Sequence, residues 1–366
     1  MDQATANHLF EAGAVLVLLD VPKGTEIGID MHSWQVTANF KGIKMIPPGL
    51  HFIYFTVPPS GDGCQNSPRS GFFRAFSERE VVVRKWNTSL ELFENEVVDE
   101  ELQKFKDNKK ELDRYCGPYP YDSYKKWISL SQHITAHTVQ RTQPKSGFVL
   151  SVSALLSMPS NSSSRAAKSK AEPIPMEKLN ADNLMPDMQL DPNEQMNYTP
   201  VHRFLEGSDP KTITDCAVNS QLVLEDFISR CHSCQNVLGE LQMAFICFLI
   251  GQQYDSFEQW KKVVGLLCNN QCIEKYSSMY SDLISVLHFQ MKEIPEDFFV
   301  DIVSSDNFLT HTLHSLFTNM QNSDASSDLK TRAAKFSKNL TKQFGWCFEE
   351  EPDDCAPVIV DEQGNY

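Results

Sequence analysis

The spacing of apolar and polar positions changes period once along the chain, near residue 99, and that change divides it into a strand-rich part and a helical part. Ala14 to Leu19 is a short unbroken apolar run, and Ile27, Ile29 and Met31 alternate with Gly28 and Asp30. These predict one buried strand and one half-buried strand. Residues 43–46 and 50–57 flank Pro47-Pro48-Gly49, which cannot continue a ladder, so a tight hairpin is expected there. Residues 61–68 read as loop, and residues 71–76 and 81–86 add two more strands rich in aromatic and β-branched side chains. Together they predict a sandwich-like sheet. Beyond Asp99, Leu102, Phe105, Leu112 and Tyr115 share one helical face, stopped by Gly117-Pro118. That helix is expected to lie on the sheet. A second helix carries Tyr124, Trp127 and Ile128 as its apolar face and runs to about Ile134, and residues 148–152 look like a last strand.

Between residues 158 and 200 the composition turns to Ser, Asn, Pro, Lys and isolated Met with no sustained period, which predicts a flexible linker. Its Ser-rich stretch 160–170, with Arg165, Lys168 and Lys170, reads either as solvated linker or as a phosphorylation or import signal. Ser208-Asp209-Pro210 then supplies a cap and a first-turn proline for a helix to about Ser229, burying Ile213, Ala217, Leu224 and Phe227. Leu238, Leu241, Phe245, Phe248 and Leu249 recur at spacings of three and four, while Ala244, Ile246, Cys247 and Ile250 make the other faces apolar too. Such a helix belongs inside a bundle. After Gly251, a one-sided stripe of Phe257, Trp260, Val263, Val264 and Leu267 faces away from Glu258, Gln259, Lys261 and Lys262, so an antiparallel helical pair is expected with Trp260 in its core. Further stripes run over residues 276–291, 298–303, 308–320 and 329–344. Six or seven helices make an all-α domain.

The chain ends in an acidic run, residues 349–354, followed by Ala356 and the β-branched segment Pro357, Val358, Ile359 and Val360. An extended segment of alternating side chains suits strand addition to a partner's sheet, and equally suits docking on its own domain. The expected class is therefore α+β in two domains. Residues 1–157 form a β-rich, sandwich-like domain with two packed helices, 158–200 a flexible linker, 201–348 an all-α domain and 349–366 an acidic, β-branched tail.

Composition narrows the function. The 366 residues are 41% hydrophobic, enough for two cores, and carry a formal charge of −15. That balance argues against direct nucleic-acid binding, which needs clustered Lys and Arg, and favours a basic partner surface. Residues 12–19 are bracketed by Glu11 and Asp20 with no basic residue ahead, unlike a signal peptide, and the apolar stretch 241–250 is about half of the roughly 20 residues that span a bilayer. A soluble protein without membrane contact is expected. Ten cysteines are scattered, several on predicted buried faces, as in a reducing nuclear or cytosolic compartment.

No P-loop, dinucleotide fingerprint, nucleophile elbow or zincin motif occurs. Cys231 and Cys234 form a CxxC that Cys268 and Cys272 would complete as a zinc site, but the separation exceeds that of compact zinc modules. They read as core and loop thiols. His311 and His314, one turn apart, give a weak metal or base signal, and Asp30, His32 and His51 would meet on a sheet face with nothing local to set a nucleophile beside them. No catalytic residue, cofactor or metal is expected.

Several stretches together resemble one family. PKGTEIGID with SWQV (residues 22–36), KMIPPGLHFIYF (44–55), GPYPY with KKWISL (117–130), LGELQMAFICFLIG (238–251), EIPEDFFVDIVSSDNFL (293–309) and DCAPVIV (354–360) are similar to segments of the AAR-two splicing factor family. The resemblance is silent over residues 56–69 and 158–200. It implies a β-rich domain joined by a variable linker to a helical domain likened to VHS domains. It implies, too, a non-enzymatic assembly chaperone of the U-five small nuclear ribonucleoprotein in pre-mRNA splicing, in nucleus and cytoplasm. Such a protein binds the scaffold Prp-eight through its RNase H-like and Jab/MPN domains, delays the helicase Brr-two, and is released on phosphorylation. The alternatives are a peptide-binding or trafficking adaptor built on the helical domain, and a hydrolase built on Asp30, His32 and His51.

Overall fold

In the computed structural model, residues 3–58, 67–97, 100–152, 155–157, 188–202, 220–294 and 308–348 are described. They divide into two compact units, the first comprising residues 1–119 and 142–197 with 251–253, the second residues 120–141, 198–250 and 254–366.

The first unit begins with α1 (Gln3–Ala12), a helix absent from the sequence expectation, whose end is tied down where Arg79 N donates to Ala12 O. The strands are β1 (Ala14–Leu19), β2 (Glu26–Ile29), β3 (His32–Gln35), β4 (Gly42–Ile46), β5 (Gly49–Thr56), β6 (Arg69–Phe76), β7 (Val81–Asn87) and β8 (Leu92–Phe93). Then come α2 (Glu100–Asp107), α3 (Lys109–Leu112), a 3-10 turn and β9 (Cys116–Pro118). Two five-stranded sheets result: β8-β7-β1-β4-β9, which mixes parallel and antiparallel pairs, and β10-β6-β5-β2-β3, closed by β10 (Val149–Leu150) and antiparallel throughout. Strand alternation gives each face of β1 a separate task. Val15 and Val17 pack with Val81, Val83, Leu102, Phe105 and Leu112, so the helical stretch after residue 99 does cover this sheet. The two sheets meet through an aromatic core in which Phe55 of β5 lies 5.3 Å from Trp86 and 5.0 Å from Phe93, edge to face.

The hairpin expected at Pro47-Pro48 does not form. β4 and β5 belong to different sheets, and the Pro-Pro corner carries the chain from one layer to the other. The physical reason is the one that suggested a reversal: neither proline has an N–H to give a ladder. Within the second sheet a glycine is required at position 28, since a Cβ there would sit 2.1 Å from the ring of its cross-strand partner Tyr54.

The second unit holds α4 (Tyr121–Ser131), α5 (Ala136–Thr142), α6 (Ser220–Cys231), α7 (Cys234–Leu249), α8 (Tyr254–Cys268), α9 (Ser277–Glu293), α10 (Phe308–Asn322) and α11 (Ser327–Phe344). Its core is α7, capped where the Ser233 side chain accepts from Asn236 N and packed with α6, α8, α9 and α4. Trp260 is 1% exposed, as the stripe on α8 predicts, and its indole donates to Gln290 Oε1 at 3.0 Å. Leu224 and Phe227 are buried on α6, while the expected start of that helix, with Ile213 and Ala217, and the stripe at 298–303 lie outside the described residues.

Two expectations change. The helix with Trp127 belongs to the helical unit rather than the sheet: α4 packs on α7 and α9, Trp127 is fully buried, and Ile128, expected on the apolar face, is 40% exposed. And the stretch read as linker has ordered parts. β11 (Leu155–Ser157) pairs antiparallel with β12 (Met188–Leu190), and Asn197 N donates to Thr142 O at 2.8 Å, whereas residues 158–187 lie outside the described residues.

Candidate partner-binding surface

Of the three residues that would build a hydrolytic site, Asp30 and His51 are brought together with their polar atoms already engaged, and His32 stands apart. Asp30 is fully buried at the β2–β3 turn with a left-handed backbone (φ 54°), and His51 Nδ1 lies 2.6 Å from its Oδ2. Tyr119 donates its hydroxyl to the same Oδ2 at 2.6 Å, and Phe52 N donates to Oδ1 at 3.0 Å. The other imidazole nitrogen, His51 Nε2, is 2.9 Å from the carbonyl of Pro47 and therefore donates to it. Burial pushes the Asp30 carboxyl above the usual carboxylate range while the His51, Tyr119 and Phe52 contacts pull it back. Each polar end is engaged, leaving no lone pair aimed at a substrate. His32 is not part of the group; it is exposed and packs edge-on against Trp34 at 4.7 Å. The cluster holds the β4–β5 corner against β2 and β9, which is why Pro47 can turn where it does.

Among the described cysteines, Cys116, Cys231, Cys247 and Cys268 are buried, Cys234 and Cys272 partly so, and Cys347 is exposed. Burial pushes Cys231 up to about 11 and Cys247 up to about 12, and raises Cys268 strongly, so these groups are protonated at neutral pH. Cys231 Sγ contacts Thr199 Oγ1 at 3.5 Å and Cys272 Sγ contacts Gln221 Oε1 at 2.7 Å, different environments rather than a shared centre. Among the described residues no group of three or more His, Cys, Asp or Glu side chains is placed to hold a metal ion, and this includes His311 and His314 on α10.

A feature the sequence reading missed sits inside the LGELQ motif of α7. Glu240 is fully buried, and its carboxylate accepts from Thr199 N at 2.6 Å, Thr199 Oγ1 at 2.9 Å, Arg141 Nη2 at 2.6 Å and Gln259 Nε2 at 3.3 Å. Two residues on, Gln242 is also fully buried; its Oε1 accepts from His133 N at 2.8 Å and its Nε2 donates to Ser129 O at 3.2 Å. Gly239 makes room for them, since a Cβ there would lie 2.5 Å from the His133 carbonyl. One helical turn thus fastens α4, α5, α8 and the segment 198–200 to α7. The signal was present in the sequence as two polar residues inside an otherwise apolar helix, and a buried polar group demands partners.

The residues expected to contact a partner, Pro357, Val358, Ile359 and Val360, lie outside the described residues. What is described is the point of departure. α11 starts at an N-cap where Ser326 accepts from Leu329 N, and ends at Gly345, whose φ of 73° turns the chain back. Phe348 then lies edge-on against Phe317 of α10 at 5.0 Å. It forms one wall of a groove of about 340 Å³ between α10 and α11, together with Phe317, Ala333, Ala334, Gln321 and Lys338. No helix of the described residues is long and apolar enough to cross a membrane.

Comparison with known proteins bears on both units. The family model described as the AAR2 N-terminal domain matches residues 12–144, and the one described as the AAR2 C-terminal repeat region matches residues 198–349. A human protein named Protein AAR2 homolog is 38% identical over 373 residues, covering 99% of this chain and 97% of the relative. The Caenorhabditis elegans Protein AAR2 homolog is 36% identical, covering 93% and 96%. A Saccharomyces cerevisiae protein named A1 cistron-splicing factor AAR2 is 25% identical, covering 93% and 95%.

Proposed function

Because the chain belongs to the AAR2 family, we propose that it is a splicing factor acting without catalysis, as an assembly chaperone of the U-five small nuclear ribonucleoprotein. In this reading it binds the Prp-eight scaffold through the RNase H-like and Jab/MPN domains and delays Brr-two until maturation. The observation that carries the reading is the near full-length match to a yeast protein whose name is that of a splicing factor. The engaged polar groups around Asp30 and His51 support a binding role over a hydrolytic one, because no base is left to activate a nucleophile.

Charge and layout fit such a role. A net charge of −15 suits a basic, RNA-binding scaffold surface and does not compete for phosphate. Two units on one chain engage separate partner domains with a raised effective concentration. Val358 to Val360 adds a strand to a partner's sheet, with alternate side chains filling pockets. Phosphorylation releases the complex, and the protein works in nucleus and cytoplasm.

Affinity purification of the tagged chain from nuclear and cytosolic extracts tests this. The Prp-eight scaffold and U-five components in the eluate are expected; coat or endosomal proteins in their place would favour the trafficking adaptor and overturn the proposal.

A further inference from the structure

We propose that in the free protein the groove between α10 and α11 is occupied by the chain's own tail, with Val358 to Val360 seated between the helices and the acidic run 349–354 lying along α11. The described chain already runs into that groove. Gly345 reverses the backbone at the end of α11, and Phe344 and Trp346 stack at 4.8 Å beside it. Phe348, the last described residue, packs on Phe317, which in turn meets Phe336 of α11 edge-on at 5.8 Å. The described chain therefore ends at the groove wall.

Charge favours the same occupant. Lys335, Lys338 and Lys342 are all exposed on α11 at spacings of three and four, so they form one stripe, and Lys338 is also in the groove wall. The segment that follows Phe348 carries Glu349, Glu350, Glu351, Asp353 and Asp354. A chain of −15 net charge has few places where five carboxylates in six residues meet cations instead of other acids. Lining and volume agree with the apolar part. Ala333, Ala334 and Phe317 give a smooth floor, while Gln321, Asn322 and Ser337 offer amide and hydroxyl groups to an extended backbone. A groove of about 340 Å³ is within the range of clefts that hold a small ligand or a few side chains. Reach is not limiting: the ten residues from Phe348 to Val358 span at most about 35 Å when extended, whereas the α11 turns from Ala333 to Phe344 cover about 17 Å.

The consequence is a masked recognition segment. A tail held by its own domain has to leave the groove before it can add to another sheet, so partner binding and tail release become one equilibrium. Salt, which screens the lysine stripe, shifts that equilibrium toward the open form.

Hydrogen exchange on the intact, purified chain tests this without any partner, so its outcome is separate from that of the splicing reading. The amides of Val358, Ile359 and Val360 are expected to exchange about tenfold or more slowly than in a synthetic peptide of residues 349–366. That protection is expected to be independent of protein concentration and to disappear in Lys338→Glu and in Ala334→Glu, each with no more than the drop of a few degrees in melting temperature that loss of the docked tail itself brings. Exchange at the peptide's rate in the unmodified chain would overturn the proposal, as would protection that falls on dilution, which would mean a second copy supplies the tail. If Ala334→Glu melts early, Lys338→Glu, an exposed position, carries the comparison alone, and undiminished protection in it refutes the lysine contact. Carbodiimide coupling gives a second readout on the unmodified chain: links within one chain from Lys335, Lys338 or Lys342 to residues 349–354 support the docked tail, and their absence contradicts it.

Discussion

Arg141 and Glu240 meet at 2.6 Å in the helical unit, where the carboxylate has no exposed surface and the guanidinium keeps 20% of its own. The carboxylate also takes the backbone N–H and the hydroxyl of Thr199, so a single buried side chain organises an arginine of α5 and the segment that precedes α6. Breaking a buried pair from one side leaves the other charge uncompensated, at a cost of about 3–5 kcal/mol. Glu240→Ala is therefore expected to lose that much in chemical denaturation, with Glu240→Gln losing less because it still accepts from Thr199. A loss of under about 1 kcal/mol for the alanine variant, the size of an exposed pair, would contradict the buried arrangement.

Gly239 gives a test with an unusual sign. Gly to Ala in a helix ordinarily stabilises by roughly 0.5–1 kcal/mol. Here the added methyl would press on the His133 carbonyl at 2.5 Å, so Gly239→Ala is expected to destabilise by about 1–3 kcal/mol. A raised melting temperature would show that the α4–α5 connection does not lie against α7.

The buried thiols predict how stability responds to alkali. A group whose pKa is raised by folding keeps its proton in the folded state after the unfolded chain has lost it, so stability is full below the ordinary thiol value and falls above it. For Cys231 the window runs from 9.0 to about 11 and for Cys247 from 9.0 to about 12. Each contributes a decline of up to about 1.4 kcal/mol per pH unit in its window. Replacing both by Ala is expected to make the denaturation midpoint less steep between pH 9 and 11, and an unchanged slope would contradict it. In the native protein at pH 8, alkylating reagents are expected to modify exposed Cys347 long before Cys231, Cys247 or Cys268.

What could be read from the sequence depended on whether the determinant was local. The unbroken run of β1 and the periodic faces of α7 and α8 carry their own burial signal, and the structure buries Leu16, Phe245 and Trp260 accordingly. The route taken by the chain between sheets was not local. Pro47 and Pro48 mark a break in hydrogen bonding but say nothing of which strand comes next to which. The same holds for α4, whose Trp127 fits any apolar surface until Gln242 and Gly239 of α7 provide a place for its C-terminal end. Asp30 and His51 were picked out together, yet only the structure adds Tyr119, from 89 residues on, and turns a candidate site into a saturated structural cluster. Of the partner surface proposed above, only the composition of the tail was legible, because charge and β-branching are properties of the segment while its dock is not.

Deleting residues 353–366 separates recognition from folding. The described core residues of α6 to α11 all lie outside that segment, so the melting temperature is expected to fall by no more than about 6 °C, the loss of a docked tail worth about 1.4 kcal/mol. Affinity for the scaffold is expected to fall at least about tenfold, since the added strand and its pockets are lost. Unchanged affinity would remove the tail from the interface.

The most direct measurement is calorimetric titration of the intact purified chain with a recombinant Prp-eight fragment carrying the RNase H-like and Jab/MPN domains. Saturable one-to-one binding with a Kd of about 1 μM or tighter is expected. No saturable heat up to about 100 μM fragment, confirmed by the two proteins eluting separately in gel filtration, would contradict the proposed function.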